Sequence, residues 1–383
     1  MPQIALLVET ALGSGRQILR GVSHFVYERE DWEIFHYTGS LGAMVPDVLR
    51  NWEGDGIIAR INNEETLSVI ESRGLPVIDV LGNYPKSPFP RVLPDNEAIS
   101  KMVLDHLRSR GFASFGFFGV EGEQWSHERE KAFVEYSNSH GFNPVCFKIS
   151  HAQKRQLNWD HYQNQLCEWL LSLNKPTGIF ACSDQFGPDL IQACRLAKLH
   201  VPEDVALVGV DNDLAFCEVV RPSLSSVRPN HTEVGYIAAS LLTEVIEKGE
   251  KAPEVTRIPP QAIEIRQSSD VFALEDQGLK KALLAIKEGA CEGIGVDEVS
   301  KISGYSRSVL QRKVKKELGR TVHELLHGAR ISRAKQLLEM TDLPISEVAQ
   351  RSGFNHQEYL GMVLKKESGY SPAQFRKLHA RVS

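Results

Sequence analysis

The chain has 383 residues, 42% of them apolar and 24% charged, which is the balance of folded globular protein rather than disordered or fibrous chain, and its length suits two or three domains. No run approaches the roughly 18 apolar residues of a membrane span, no basic region precedes the first apolar run, and the six cysteines contain no C-x-x-C pair, so a cytoplasmic protein with no disulfide framework, metal or cofactor is expected. The net charge of −5 is split unevenly: residues 1–279 hold 25 basic against 38 acidic side chains, whereas residues 280–383 hold 19 against 11, so the tail suits a polyanionic partner.

In chain order, "IALLVE", "WEIFHY", "DGIIARI", "PVIDVLG", "FGFFGV", "GIFACS" and "VALVGVD" read as strands. Segments of helical spacing separate most of them, which predicts parallel sheets with helices on both faces. Ligands in such folds sit beyond the carboxyl ends of the strands, which directs attention to Glu9, Thr10, Arg129, Asp184, Asp211, Asn212 and Asp213. "GSGRQI" after the first strand is a fragment of a dinucleotide fingerprint, but Ile18 stands where the last glycine would be. No acid/base pair or nucleophile elbow accompanies it, so an enzyme is not expected.

Five segments run in the order of one family: "PDNEAISKMVLDHLRSRGFASFGFFG" (Pro94–Gly119), "WSHEREKAF" (Trp125–Phe133), "CSDQFGPDLIQACR" (Cys182–Arg195), "VALVGVDND" (Val205–Asp213) and "PSLSSVRPNHTEVGYIAASLL" (Pro222–Leu242). They resemble the sugar-binding core of lac-repressor-type regulators, itself similar to periplasmic sugar-binding proteins: two α/β lobes around a cleft. Carboxylates and a guanidinium can each engage two neighbouring hydroxyls, and an indole can cover the less polar face of a pyranose. The resemblance implies Arg129 and Asp211 as hydroxyl clamps, Trp159 as the stacking platform and Asp184 as a further acceptor, with Trp125 and Asn212 nearby. Simpler roles stand beside these: a surface ion pair for Arg129, a loop cap for Asp211, plain core for Trp159, a helix N-cap for Asp184. Pro229 stands where related sensors often carry a polar residue, so fewer hydrogen bonds are expected on that side of the cleft.

"SSDVFALEDQG" (Ser268–Gly278) reads as a linker, and the tail behind it says one phrase twice. In the first copy Asp297 caps or opens a short helix carrying Val299 and Ile302, and Gly304 breaks it. Ser306 then supplies a second N-cap for a helix with Leu310, Val314 and Leu318 inward. Its other stripe, Arg307, Ser308, Gln311, Arg312 and Lys315, has the donors to meet base edges and phosphates in a major groove. The second copy places Ile345, Val348 and Ala349 on a first helix, Gly353 in the turn, and Leu360 and Leu364 on a second helix ending in Lys365 and Lys366. Between them "VHELLHGARISRAKQLLEMTD" predicts a connecting helix that would hold the two reading helices about one duplex turn, roughly 34 Å, apart. "HELLH" (His323–His327) matches a zinc-peptidase motif, but it opens the connecting helix and lacks a third ligand downstream.

The tail resembles the DNA-binding domain of the AraC/XylS family, down to the closing "GYSPAQFRK" (Gly369–Lys377). By that resemblance Ser308, Gln311 and Arg312 occupy base-reading positions in the first unit, and His356, Gln357, Glu358 and Gly361 those of the second, with Lys365 beside them. Gly361 and Met362 replace the polar or basic residues often found there, so the second unit is expected to add mainly backbone contacts and shape.

The expected architecture is therefore a two-lobed, periplasmic-binding-protein-like α/β core over residues 1–268, a linker over 269–278, and an all-α domain with two helix-turn-helix units over 279–383. Because the first strand begins at Ile4, DNA reading is expected at the C-terminus instead of in an N-terminal headpiece. Such a fusion, with "IALLVETALGSGRQILRGV" and "GVDND", resembles the branch of these regulators that responds to xylose. The resemblance implies D-xylose or a related pentose as effector, double-stranded promoter DNA as target, a homodimer formed through the core, and RNA polymerase as partner of an activator. The alternative is the same architecture responding to another sugar, or using the core only to dimerise.

Overall fold

The computed structural model describes residues 1–29, 32–37, 47–84, 87–151, 158–249, 251–270, 276–318, 320–341 and 343–379. The chain divides into two compact units, Met1–Ala273 and Leu274–Ser383. Half of the expected linker, residues 271–275, lies outside the described residues.

The strands of the first unit are β1 (Gln3–Leu7), β2 (Glu33–Tyr37), β3 (Gly56–Ala59), β4 (Val77–Asp79), β5 (Arg91–Pro94), β6 (Ser114–Glu121), β7 (Val145–Ser150), β8 (Thr177–Ala181), β9 (Val205–Val210), β10 (Ser225–Arg228), β11 (Val255–Ile258) and β12 (Ala262–Glu264). They build two six-stranded sheets, ordered β11-β5-β4-β3-β1-β2 and β12-β10-β9-β8-β6-β7. All described pairings are parallel except β10 with β12. Each sheet belongs to one lobe. The chain therefore crosses between lobes after β5, after β10 and between β11 and β12.

The seven strands predicted from apolar runs are present, and in all but the edge strand β2 their continuous Val, Ile, Leu and Phe reflect burial on both faces of a parallel sheet. Periodicity missed β5, β7, β10, β11 and β12. These are short or broken by Arg, Lys, Ser and Pro, and β5, β10, β11 and β12 flank the crossings, where strand length is set by tertiary pairing. One lobe packs Ile18, Val22 and Phe25 of helix Gly13–Arg29 and Val234, Ala238 and Leu242 of helix His231–Lys248 on Ile4, Leu6 and Ile58. The other centres on Phe117, Phe118, Phe133 and Phe180.

The second unit contains helices Gln277–Gly289, Val296–Ser303, Arg307–Leu318, Val322–Met340, Ile345–Arg351, Gln357–Ser368 and Pro372–His379. Asp297 lies in the first turn of its helix, and Gly295 is the N-cap, its N–H donating to Glu298 Oε2 at 3.1 Å. The connecting helix is buried on more than one side. Val322 and Leu326 are buried in its first half, the helix packs against Gln277–Gly289 and Arg307–Leu318, and Ile331, Ala334, Leu337 and Leu338 form one core with Val348, Leu360 and Leu364. The "HELLH" carboxylate closes a capping box: Glu324 accepts the Thr321 N–H at 2.7 Å while its own N–H donates to Thr321 Oγ1 at 3.1 Å. No described helix is long and apolar enough to cross a membrane.

Candidate effector cleft and nucleic-acid interface

The carboxyl ends of β1, β3, β8 and β9 converge at the boundary between the lobes and carry polar side chains there. Beyond β1, Glu9 is buried and paired with Arg60, which follows β3; burial pushes its carboxyl up against the opposing charge of Arg60. Gly15 is required beside it, since a Cβ there would lie 2.0 Å from the Glu9 carbonyl oxygen. Thr10 contributes its carbonyl, which accepts from Arg16 Nη1 at 2.7 Å.

In the other lobe Arg129 projects from helix Gln124–Ser139 and is 4% exposed. Its Nε donates to Asn96 Oδ1 at 2.9 Å and its Nη1 to the Cys182 carbonyl, while the guanidinium lies 5.1 Å from the Trp125 ring centroid. Among the described residues Nη2 has no hydrogen-bond acceptor. A surface ion pair is therefore not its role. Trp125 is itself tethered, its Nε1–H donating to Glu123 Oε2 at 2.9 Å.

Asp211 follows β9 with φ 108, and Asn212 follows with φ 49, both in the left-handed region. Non-glycine residues pay about 1–3 kcal/mol for such a conformation, and it persists only where neighbours hold it. Here Asn212 N–H donates to Ser226 Oγ at 3.0 Å, Asn212 Oδ1 accepts from Arg266 Nη2 at 2.6 Å, and Asp213 N–H donates to Asp184 Oδ2 at 2.8 Å. Asp211 Oδ2 accepts from Ser183 Oγ at 3.1 Å and Oδ1 lies 3.1 Å from His231 Nε2. Burial alone would raise this carboxyl, but His231, Arg129 and Ser183 together hold it below the usual range. Asp184 is the opposite case: burial, and then the charge of Asp211, push it well above that range. Two neighbouring carboxyls are thus driven apart in acidity by their surroundings.

The structure brings Glu9, Trp125, Arg129, Asp211 and Asn212 to the lobe boundary. Asp184 is there too, but its Oδ2 holds the Asp213 N–H and the Cys217 thiol, and its Oδ1 fills the space left by Gly209, so it braces the 211–213 loop. Trp159 opens helix Trp159–Ser172 with its indole 52% exposed and edge-on to Tyr162, so it is not plain core. Several residues were not singled out from sequence. Arg60 and Ser183 were missed, as was His231, which is buried with Nδ1 unpartnered among the described residues. Asn83 of one lobe donates to Glu123 of the other at 2.7 Å, and Arg257 pairs with Glu128 at 3.1 Å. The usable signal was position: each stands within a few residues of a strand's carboxyl end or of a crossing.

In the second unit Arg307, Ser308, Gln311, Arg312 and Lys315 are all exposed on helix Arg307–Leu318, whose Leu310, Val314 and Leu318 are buried. Arg307 reaches Asp297 at 3.1 Å, and Ser308 Oγ lies 3.3 Å from Ser306 Oγ. Lys313 turns away to Asp276, the N-cap of helix Gln277–Gly289, at 2.5 Å. On the second reading helix, Gln357, Glu358 and Lys365 are exposed and Gly361 is half-buried, with His356 exposed at the N-cap. A Cβ on Gly361 would meet only Pro372, at 3.9 Å, so the helix surface is bare there.

Three family models match: a XylR N-terminal domain over residues 3–95, a periplasmic binding protein-like domain over 104–269, and a helix-turn-helix domain over 299–378. The chain is 33% identical to the xylose operon regulatory protein of Haemophilus influenzae, with 98% of each covered, and 30% identical to that of Escherichia coli K12, over 99% of this chain and 98% of the relative. The chain belongs to the xylose operon regulatory protein family. A solved structure of the xylose-binding transcription activator xylR superposes with a TM-score of 0.78 at 30% identity, covering 99% of each chain. The core alone has the fold of a LacI family regulator from Enterococcus faecium solved with bound ribose, at TM-score 0.57 and 20% identity over 71% of this chain. The regulator is thus a two-lobed, periplasmic-binding-protein-like α/β core joined to a helical domain with two helix-turn-helix units. It is a transcription regulator and not an enzyme.

Proposed function

We propose that this regulator is a D-xylose-dependent activator of xylose-catabolic genes, in which residues 1–268 sense the sugar and dimerise, 269–278 connect, and 279–383 bind promoter DNA. The observation that carries it is the end-to-end match to xylose operon regulators together with a buried guanidinium and a half-buried carboxylate at the lobe boundary. Arg129 Nη2 and Asp211 clamp neighbouring hydroxyls, Glu9, Arg60 and His231 meet others, and Trp125 or the exposed indole of Trp159 covers the ring's less polar face. Asp184 and Asn212 keep Asp211 in place. Sugar held by both lobes favours one arrangement of the core, and it acts on DNA binding only through its different affinity for the two arrangements. Arg307, Ser308, Gln311, Arg312 and Lys315 read the promoter, His356, Gln357, Glu358, Gly361 and Lys365 add backbone and shape contacts, and a cytoplasmic homodimer recruits RNA polymerase.

The test is the thermal unfolding midpoint of the purified chain against a panel of pentoses and hexoses, because a ligand that binds only the folded state must raise it. A rise with D-xylose and little with glucose or arabinose is expected. No rise with any sugar would make the core a dimerisation scaffold.

A further inference from the structure

We infer that Asp213 is an interlobe latch, a positioning residue that sets how tightly the two lobes hold the effector without touching it; this rests on the cleft proposed above. Asp213 is 7% exposed and stands two residues after the clamp Asp211. Its carboxylate leaves its own lobe. Oδ2 accepts the Gly13 N–H at 2.8 Å, at the N-terminus of helix Gly13–Arg29 in the opposite lobe, and Oδ1 faces Arg16 Nη2 of that helix at 3.8 Å. The same Oδ1 accepts the Ala215 N–H at 3.2 Å.

Three features make this a latch as well as the cap of helix Leu214–Cys217. The carboxylate meets the positive end of a 17-residue helix and a guanidinium together, so the attraction is charge-assisted. The approach depends on a missing side chain, since a Cβ on Gly13 would lie 2.9 Å from Oδ2. Both ends are also wired to the cleft. Asp213 N–H is fixed by Asp184, and the backbone between it and Asp211 is left-handed and held by Ser226 and Arg266, so Asp213 cannot shift without Asp211. Arg16 in turn grips the Thr10 and Ala11 carbonyls, at 2.7 and 3.0 Å, next to Glu9. A hydrogen bond of this length exists at one separation of the lobes. By this inference, sugar held across the cleft favours that same separation.

The test uses the full chain. Asp213→Ala and, from the other lobe, Gly13→Ala are each expected to weaken sugar binding by calorimetry about tenfold, the scale of one charge-assisted bond, and the double variant no further. Spin labels introduced as unnatural amino acids at the exposed positions Tyr27 and Val219, one in each lobe, are expected to report a longer or broader separation in Asp213→Ala without sugar. A merely structural cap would lower the unfolding midpoint while leaving sugar affinity and label separation at wild-type values, and that result would overturn the latch. If wild type binds no sugar yet the separation changes in Asp213→Ala, the cleft assignment falls and the latch stands.

Discussion

Arg129 is a buried cation whose positions are taken by neutral acceptors, Asn96 Oδ1 and the Cys182 carbonyl, with Asp211 supplying the opposing charge. A lysine concentrates its donors on one nitrogen and lacks the planar fork by which Arg129 reaches Asn96 and the Cys182 carbonyl from separate nitrogens while turning Nη2 to the cleft. Arg129→Lys is expected to lose at least about tenfold in sugar affinity, and Arg129→Ala to abolish the sugar-induced rise and also lower the sugar-free midpoint, because two buried acceptors lose their donor. Calorimetry and melting curves check this. At the end of β4, Asp79 accepts the Leu81 and Gly82 N–H groups at 2.9 and 3.0 Å and so shapes the loop that carries Asn83 to Glu123. Burial pushes its carboxyl up to about 6 against those bonds. A folded value above the unfolded one means that its stabilisation is complete below about pH 4 and lost as pH rises through about 6. The stability of wild type relative to Asp79→Asn, from denaturant melts, should fall by about 2 kcal/mol between pH 4 and 7.

At the scale of elements, the two helix-turn-helix units use the same glycine for different reasons. Gly304 has φ +76 with nothing within 4 Å of a Cβ, whereas Gly353 has φ +75 and a Cβ there would lie 2.8 Å from Cys291 Cα and 2.9 Å from the Ala290 carbonyl oxygen. Gly304→Ala should therefore cost about 1 kcal/mol, the price of the backbone conformation alone. Gly353→Ala should cost at least twice that, because the second turn is pressed on backbone that cannot give way; denaturant melts separate the two. On the first reading helix, Arg312→Ala should weaken promoter binding by about 1–3 kcal/mol and relax preference at one base pair, while Lys315→Ala should weaken all sequences alike and lower the salt slope by about 1. Binding titrations at several salt concentrations distinguish them. These helices were legible because their signals lie within four residues: Leu310, Val314 and Leu318 recur at helical spacing and are buried.

For the whole molecule, sugar sensing and DNA reading must be reciprocal. If D-xylose raises promoter affinity by some factor, promoter DNA must raise D-xylose affinity by the same factor, and unequal factors in paired titrations would sink the two-arrangement account. The sequence by itself determined the alternating α/β core, the doubled helix-turn-helix tail and the split of charge, because these follow from local periodicity and composition. It also brought Glu9, Arg129 and Asp211 into view, since ligands of open α/β sheets gather at strand ends. Only the tertiary structure decided that His231 stands 3.1 Å from Asp211, that Asp184 braces a loop, and that Asp213 reaches Gly13 across 200 positions of chain. Those contacts join side chains from loops beyond different strands, two of them from different lobes, and nothing in local spacing records which side chains separately packed elements will bring face to face.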